Sequence, residues 1–117
     1  MLVHRLVSAA GTTNATIANV GYTKLHSIVL TNAAAAAKFL KIYNKASAPT
    51  VGTDVPIMTI QLPPTAVNSG RTQIDFGSNP VHCSLGLAYA LTGAVADSDT
   101  TALTAADVIA LNLVYSK

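Results

Sequence analysis

Short runs of apolar residues are separated by clusters of turn residues along the whole chain, and several runs alternate large side chains with small or polar ones. The alternation is clearest in residues 81–92, whose large apolar side chains are Leu85, Leu87, Tyr89 and Leu91. A period of two is typical of strands whose two faces have different surroundings. The pattern predicts eight strands, at residues 2–7, 15–20, 25–31, 38–44, 55–62, 72–76, 81–92 and 108–115.

The segments between these strands are rich in Gly, Pro, Asn and Ser, and none has a convincing long helical pattern. Such spacing is typical of sandwiches and barrels and argues against alternating strands and helices. The sequence therefore predicts one all-β domain, residues 1–117, folded as an antiparallel two-sheet β-sandwich of about eight strands. A jelly-roll and an immunoglobulin-like strand order both agree with the pattern.

The same period sorts the side chains of each strand onto two faces, and it leaves open which face of a sheet is buried. In the last strand Ile109, Leu111, Leu113 and Tyr115 share one face and alternate with Ala110 and Asn112. Opposite the large side chains of residues 81–92 lies a row of small ones, namely Ser84, Gly86, Ala88 and Ala90. A row of small side chains lets a neighbouring layer approach closely, so we expect a second sheet or another subunit against it.

Residues 31–44 allow two interpretations. The five alanines at residues 33–37 have high helix propensity, and Thr31 or Asn32 would cap a helix that begins there. The following residues are aromatic and β-branched with a period of two, which places Leu40 and Ile42 inward and Lys41 outward. This second pattern favours a hairpin in which the alanines connect the third and fourth strands.

The composition limits what the chain can do chemically. Half of the residues are hydrophobic and 10% are charged, whereas about 25% are charged in an average soluble domain. The chain has no Glu and only five Asp, so few groups are available for acid–base catalysis. A surface with so few charges tends to be covered by other subunits. The formal net charge of +2 is too small to predict a nucleic-acid partner.

The sequence contains few signals for a cellular compartment or for insertion into a membrane. The one cysteine, Cys83, has no partner for an internal disulfide, which fits synthesis in a reducing cytosol. No secretion signal is visible at the N-terminus. Residues 76–96 lack Asp, Lys and Arg, but Pro, Gly and a strand-like period interrupt the segment, so we predict no membrane span.

Two groups of residues are candidates for metal binding. Alternating oxygen ligands at Asp97 and Asp99, with Asp107 nearby, are compatible with Ca²⁺, but turn side chains that bond their own backbone explain them better. The histidines are far apart, and His82 and Cys83 should point to opposite faces of a strand. No nucleophile elbow or phosphate-binding glycine loop is present. We therefore predict a non-enzyme without catalytic, metal or cofactor sites.

Three lysines form the only basic cluster. In an extended strand Lys41 and Lys45 share a face with Phe39 and Tyr43, and Lys38 lies beside them. Aromatic and basic side chains on one face are compatible with single-stranded nucleic acid. The low net charge favours a solvated outer face instead, with the rings packed along the lysine stems.

Several stretches together resemble small β-sandwich virion proteins of tailed phages, in particular head decoration or cement proteins. They are residues 38–46, 48–56, 86–93, 96–101 and 111–115. The resemblance implies a capsid-surface protein, made in the host cytoplasm, that stabilises the head by protein–protein contacts. It implies as partners the major capsid protein and copies of this chain, in a homotrimer or at a symmetry axis, and no membrane or small-molecule substrate. The run at residues 2–7 and a low-charge sheet face are then expected to make inter-subunit contacts.

An alternative is a tail or fibre-associated module that recognises a host glycan or protein. It would use Tyr22, Tyr43 and Tyr89 in a concave site. An aromatic content of 5% argues mildly against a sugar platform.

Overall fold

The computed structural model describes residues 1–117 and contains nine strands and one 3₁₀ turn. The strands are β1 (Leu2–Leu6), β2 (Thr16–Val20), β3 (Thr23–Asn32), β4 (Lys38–Asn44), β5 (Met58–Leu62), β6 (Arg71–Asp75), β7 (Val81–Cys83), β8 (Gly86–Thr92) and β9 (Val108–Ser116). The 3₁₀ turn, Asn68–Gly70, precedes β6. No helix reaches the length and apolar character needed to span a bilayer.

The strands form two antiparallel sheets, as the alternation predicted. The first sheet has the order β1-β9-β3-β6, and β7 continues the edge that β6 forms along β3. The second sheet has the order β2-β8-β4-β5. If β6 and β7 are counted as one interrupted strand, every connection except β4–β5 crosses between the sheets. This order is that of a jelly roll, which decides between the two strand orders that the sequence allowed.

The core lies between the two sheets and is built from alternate residues of the central strands. β3 contributes Leu25, Ile28 and Leu30, and all three are almost completely buried. Full burial of one such side chain stabilises the fold by about 1.5–3 kcal/mol. The opposite sheet contributes Leu40, Ile42, Leu62, Leu87, Tyr89 and Leu91. The predicted inward positions of Leu40 and Ile42 are therefore confirmed, and Leu87, Tyr89 and Leu91 share one face of β8 as predicted.

The strand predicted at residues 81–92 is divided in two, because a tight turn at Ser84 and Leu85 carries the chain from the first sheet to the second. The side chain of Asn44 fixes this turn: its amide oxygen accepts the Leu85 N–H at 2.8 Å, and its amide nitrogen donates to Ser84 Oγ at 3.1 Å. The prediction that Leu85 shares a face with Leu87, Tyr89 and Leu91 is wrong, since those three are buried and the side chain of Leu85 is exposed.

The hairpin predicted between the third and fourth strands is also wrong, since β3 and β4 lie in different sheets. The strand character of residues 38–44 is confirmed, and no helix forms in the alanines. The buried side chain of Asn32 shapes the crossing: Oδ1 accepts the Ala34 N–H at 2.9 Å, and Nδ2 donates to the carbonyls of Ala36 and Pro63. These bonds hold the alanines as a connection between the two layers.

A bulge in β9 moves Ile109 away from the face that the alternation predicted for it. Ala110 has a positive φ of 53°, and the pairing of β9 with β3 shifts register between Val29 and Thr31. The extra residue turns Ile109 to the outer face and places Val108 in the core. Beyond the bulge, the prediction that Leu111, Leu113 and Tyr115 share one face is confirmed, and this face lies in the core.

Candidate interaction surface

The two ends of the sandwich differ in how the strands are connected. At one end, here called the long-loop end, the connections are residues 7–15, 33–37, 63–70 and 93–107. At the other, the short-turn end, Gly21 with Tyr22 and Ser84 with Leu85 form two-residue connections, and the longer connection of residues 45–57 also begins and ends there before it folds back over the second sheet. Short turns cannot fold back over their own apolar side chains, so residues on them stay in contact with solvent.

The short-turn end carries a set of exposed apolar side chains, here called the apolar tip: Leu2, Val20, Tyr22 and Leu85. Val20 is 66% exposed at the end of the half-buried β2, and Leu85 is 57% exposed although it adjoins the fully buried β8. The N–H of Gly21 donates to the carbonyl of Leu85 at 2.9 Å, which keeps the two turns side by side. Val20, Tyr22 and Leu85 therefore lie on adjoining turns, and exposed apolar residues that adjoin one another mark sites where proteins associate.

Polar groups surround Tyr22 at the rim of the apolar tip. Its hydroxyl is hydrogen-bonded to Nδ1 of His82, and the two rings pack edge to face with centroids 5.7 Å apart. Nζ of Lys24 lies 6.0 Å from the centre of the Tyr22 ring, at the limit of a cation–π contact. These contacts restrict the tyrosine ring while about half of it stays exposed, which suits a preformed contact surface.

The outer face of the second sheet is covered by the chain itself. The loops at residues 45–57 and 93–107 fold back over β4 and β8, and they touch where a Cβ on Gly52 would lie 2.8 Å from the side chain of Thr100. Beneath them Lys41 is fully buried, and its ammonium group donates to the carbonyls of Ala96 at 2.5 Å and Asp99 at 3.5 Å. The prediction that this lysine lies on a solvated face is therefore wrong.

The other two lysines of the basic cluster also have partners within the chain. Nζ of Lys38 lies 3.6 Å from a carboxylate oxygen of Asp107, and Nζ of Lys45 lies 2.5 Å from one of Asp54. The hydrogen bond from Lys45 lowers the pKa of Asp54. The three lysines therefore link both covering loops to β4 and the residue that follows it.

The row of small residues on β8 lets a neighbouring layer approach closely, as its composition predicted. That layer is a loop of the same chain, and not a second sheet or another subunit. Ala88 and Ala90 pack with Tyr43 beneath Val51. A Cβ on Gly86 would lie 2.5 Å from the carbonyl oxygen of Lys45. Only a glycine permits the start of the loop to pass so close to β8.

Of the three tyrosines considered for a glycan site, only Tyr22 reaches the surface. Tyr43 is buried beneath the covering loops and its hydroxyl has no hydrogen-bond partner. Burial, followed by the charges of Asp54 and Asp97, raises the pKa of Tyr43. Tyr89 lies in the core, where burial raises its pKa to about 12. The three rings do not form the concave site that the alternative requires.

The aspartates of the long-loop end bond their own loop, as predicted. The carboxylate of Asp99 accepts from Thr101 Oγ1 at 2.7 Å and from the N–H groups of Ala94 and Thr101. The carboxylate of Asp107 accepts from the backbone and hydroxyl of Thr104. The Thr101 hydroxyl bond is the main cause of the lowered pKa of Asp99.

The candidate metal ligands are dispersed over the fold. His4 faces the interior of the sandwich, His26 is bonded to Ser116 Oγ at 2.8 Å, and His82 is on the surface beside Tyr22. Cys83 is fully buried, which raises the pKa of its thiol, so His82 and Cys83 point to opposite faces as predicted. Nowhere do three His, Cys or Asp side chains approach one another closely enough to share a metal ion.

The apolar tip is the surface that the sequence pattern did not reveal, because Leu85 continues the alternation of residues 81–92 without interruption. Its one local signal is Gly86, which follows Leu85 and marks a close backbone approach. Together, the fold and this surface define a jelly-roll domain with an exposed apolar end. Comparisons of the chain with protein-family models, with curated proteins and with solved structures find no match.

Proposed function

We propose that this chain is a structural subunit of a phage particle, a decoration protein that binds the capsid surface and stabilises it without catalysing a reaction. The apolar tip is the observation that carries the proposal, since it presents Leu2, Val20, Tyr22 and Leu85 at one end of a rigid sandwich. Removing apolar surface from water stabilises an interface by about 25 cal/mol per Å² before the costs of association are subtracted.

The charge distribution supports this orientation. Asp97, Asp99 and Asp107 all lie in the connection of residues 93–107 at the long-loop end. The long-loop end also exposes Val67 and Val95, so the proposed orientation rests on the three aspartates, whose carboxylates are suited to water. In the proposed arrangement the short-turn end contacts the major capsid protein and the aspartate-rich end points away from the particle.

The stabilisation of the capsid follows from the thermodynamic linkage between binding and assembly. A protein that binds the assembled shell but not its separated subunits shifts the equilibrium toward the shell, by an amount that grows with its concentration relative to the dissociation constant. The same relation stabilises the bound decoration protein against unfolding. The folded chain therefore acts through contact area and position, and no side chain needs to change its protonation or covalent state.

A tail or fibre-associated binding module is the second candidate, and Tyr22 favours it. An exposed, oriented ring beside His82 and Lys24 is a feature of sites that bind a glycan or a peptide. In that case the apolar tip faces the host rather than the capsid.

Co-sedimentation with purified heads and, separately, purified tails of the parent phage tests the proposal. The wild-type chain should sediment with heads, and Val20→Asp and Leu85→Asp should each reduce binding at least tenfold. Val67→Asp is the matched control, because Val67 is similarly exposed at the long-loop end and should bind normally. Binding to tails alone supports the second candidate, and binding to neither, or equal loss in the control, overturns the role of the tip.

A further inference from the structure

Each of the two sheets has two outer edges, and three of these four edges carry a feature that hinders further strand pairing. β2 has an irregular register against β8 between Ile17 and Asn19. β5 is preceded by Pro56 and followed directly by a pair of prolines. The edge made by β6 and β7 is broken by the Gly and Pro of residues 77–80. Bulges, prolines and short strands are the devices that protect native edges from unwanted pairing.

The fourth edge, β1, is as short as the others and carries one charged residue, Arg5, but it has no bulge, proline or break. Its five residues pair with β9 in an unbroken register from Leu2 to Leu6, and they include neither Pro nor Gly. Its other side is open along the whole strand. Val3 is 60% exposed on this strand, and Leu2 and the adjoining Val7 are also exposed. A regular, apolar and unpaired edge is a template for another strand.

We propose that β1 is the site at which a second copy of the chain adds antiparallel, β1 against β1, so that two first sheets become one continuous sheet across a two-fold axis. The inference goes beyond capsid binding, because it concerns only the chain and its own copy. It leaves the protected edges, β2, β5 and the β6–β7 edge, at the outside of the dimer.

The sequence of β1 is self-complementary when the axis passes through His4. Leu2 then faces Leu6 of the partner subunit, and Val3 faces Arg5 of the partner subunit. The one charged side chain of the strand therefore packs against an aliphatic neighbour and not against its own copy, whereas like charges placed directly opposite are destabilising. The strand contains no carboxylate, so no attraction between unlike charges favours a different register.

The contact is small. Two paired strands of five residues bury less than the roughly 1,200 Å² that stable complexes need, so we expect a weak dimer that forms with rising concentration. Copies held side by side on a particle have a high effective concentration, which would favour the same contact there.

Sedimentation equilibrium of the isolated chain between about 10 µM and 1 mM tests the inference. The wild type should shift from monomer toward dimer, and Val3→Lys should weaken dimerisation at least tenfold because a lysine on an edge opposes pairing. Val29→Lys is the control, since Val29 is exposed on the same sheet but away from its edge. Circular dichroism verifies that both variants fold. A monomer at 1 mM, or a dimer weakened by the control and not by Val3→Lys, overturns the inference.

Disulfide trapping tests the register itself. Because residues 3 and 5 oppose each other across the proposed axis, the double variant Val3→Cys with Arg5→Cys should form a covalent dimer on mild oxidation. Each single variant places its cysteines on a diagonal, about 7–8 Å apart, and should form little. Equal trapping in a single variant contradicts the register. The experiments contain no capsid, so their failure leaves the capsid-binding proposal untouched, and a lack of capsid binding leaves the dimer untouched.

Discussion

The hydroxyl of Tyr89 lies 2.9 Å from Nε2 of His4, and the two rings pack edge to face with centroids 5.4 Å apart. This pair joins β1, at the edge of the first sheet, to β8, at the centre of the second. Tyr89 is fully buried, and its hydroxyl is bonded to His4 across the sandwich, with the side chain of Thr16 as a second hydrogen-bond neighbour. A histidine of the edge strand therefore contacts the centre of the opposite sheet.

Burial lowers the pKa of His4 below its usual value of 6.5, which gives the fold a pH dependence. Above pH 6.5 the ring is neutral in the folded and unfolded states alike. As the pH falls below 6.5 the unfolded chain takes up the proton first, so the free energy of unfolding decreases. Urea denaturation between pH 7.5 and pH 5 should show this loss.

His4→Gln is the control for this pH dependence, because it removes the titrating ring and leaves His26 and His82 in place. Its free energy of unfolding should vary less with pH over the same range. The lowered pKa values of Asp99 and Asp107 act at more acidic pH and do not interfere. An identical pH dependence in the variant and the wild type would contradict the assignment to His4.

Replacement of each buried tyrosine by phenylalanine should change the free energy of unfolding differently. Tyr89→Phe removes the hydroxyl that is bonded to His4 and should lower the free energy of unfolding by about 1 kcal/mol. Tyr43→Phe removes a buried hydroxyl that has no partner, so it should leave stability unchanged or raise it by about 1 kcal/mol. Urea denaturation at pH 7.5 measures both. Similar losses in the two variants would mean that Tyr43 has a partner in solution.

Lys41→Met should destabilise the fold, although methionine fills a similar volume. The substitution removes the hydrogen bond that the buried ammonium group donates to the carbonyl of Ala96, and a hydrogen bond to a charged group contributes about 1.5–3 kcal/mol. Lys117→Met is the control at an exposed position and should change stability little. Limited proteolysis should also cleave residues 93–107 faster in Lys41→Met than in the control. Equal stability and equal cleavage would show that the lysine does not hold the loop.

Gly86→Ala should be strongly destabilising, by more than about 2 kcal/mol, because the new Cβ would lie 2.5 Å from the Lys45 carbonyl oxygen and 2.8 Å from that of Asn19. Gly21→Ala is the matched control: its Cβ meets nothing within 4 Å, and only its positive φ of 89° opposes the substitution. Thermal unfolding compares the two. A smaller loss in Gly86→Ala than in Gly21→Ala would mean that the covering loop moves away from β8 easily.

The alternation of side chains predicted the strands because it reflects a local property, the opposite orientation of neighbouring residues. The prediction of side-chain direction failed at Leu85 and Ile109. A two-residue turn and a one-residue bulge reverse the direction of a side chain there, and neither changes the pattern of residue types. The burial of Lys41 depends on a loop more than fifty residues further along the chain, and no local pattern contains that information. The apolar tip escaped prediction for the same reason.

Leu2 pairs with Tyr115, so the first sheet is closed by strands from opposite ends of the sequence. Contacts this distant form only after nearly the whole polypeptide has been organised, and folds dominated by them take milliseconds to seconds. Until then β9 presents an open edge to any neighbouring molecule. Folding and self-association thus compete for the same backbone, and the concentration at which the chain is refolded should determine how much of it reaches the native state.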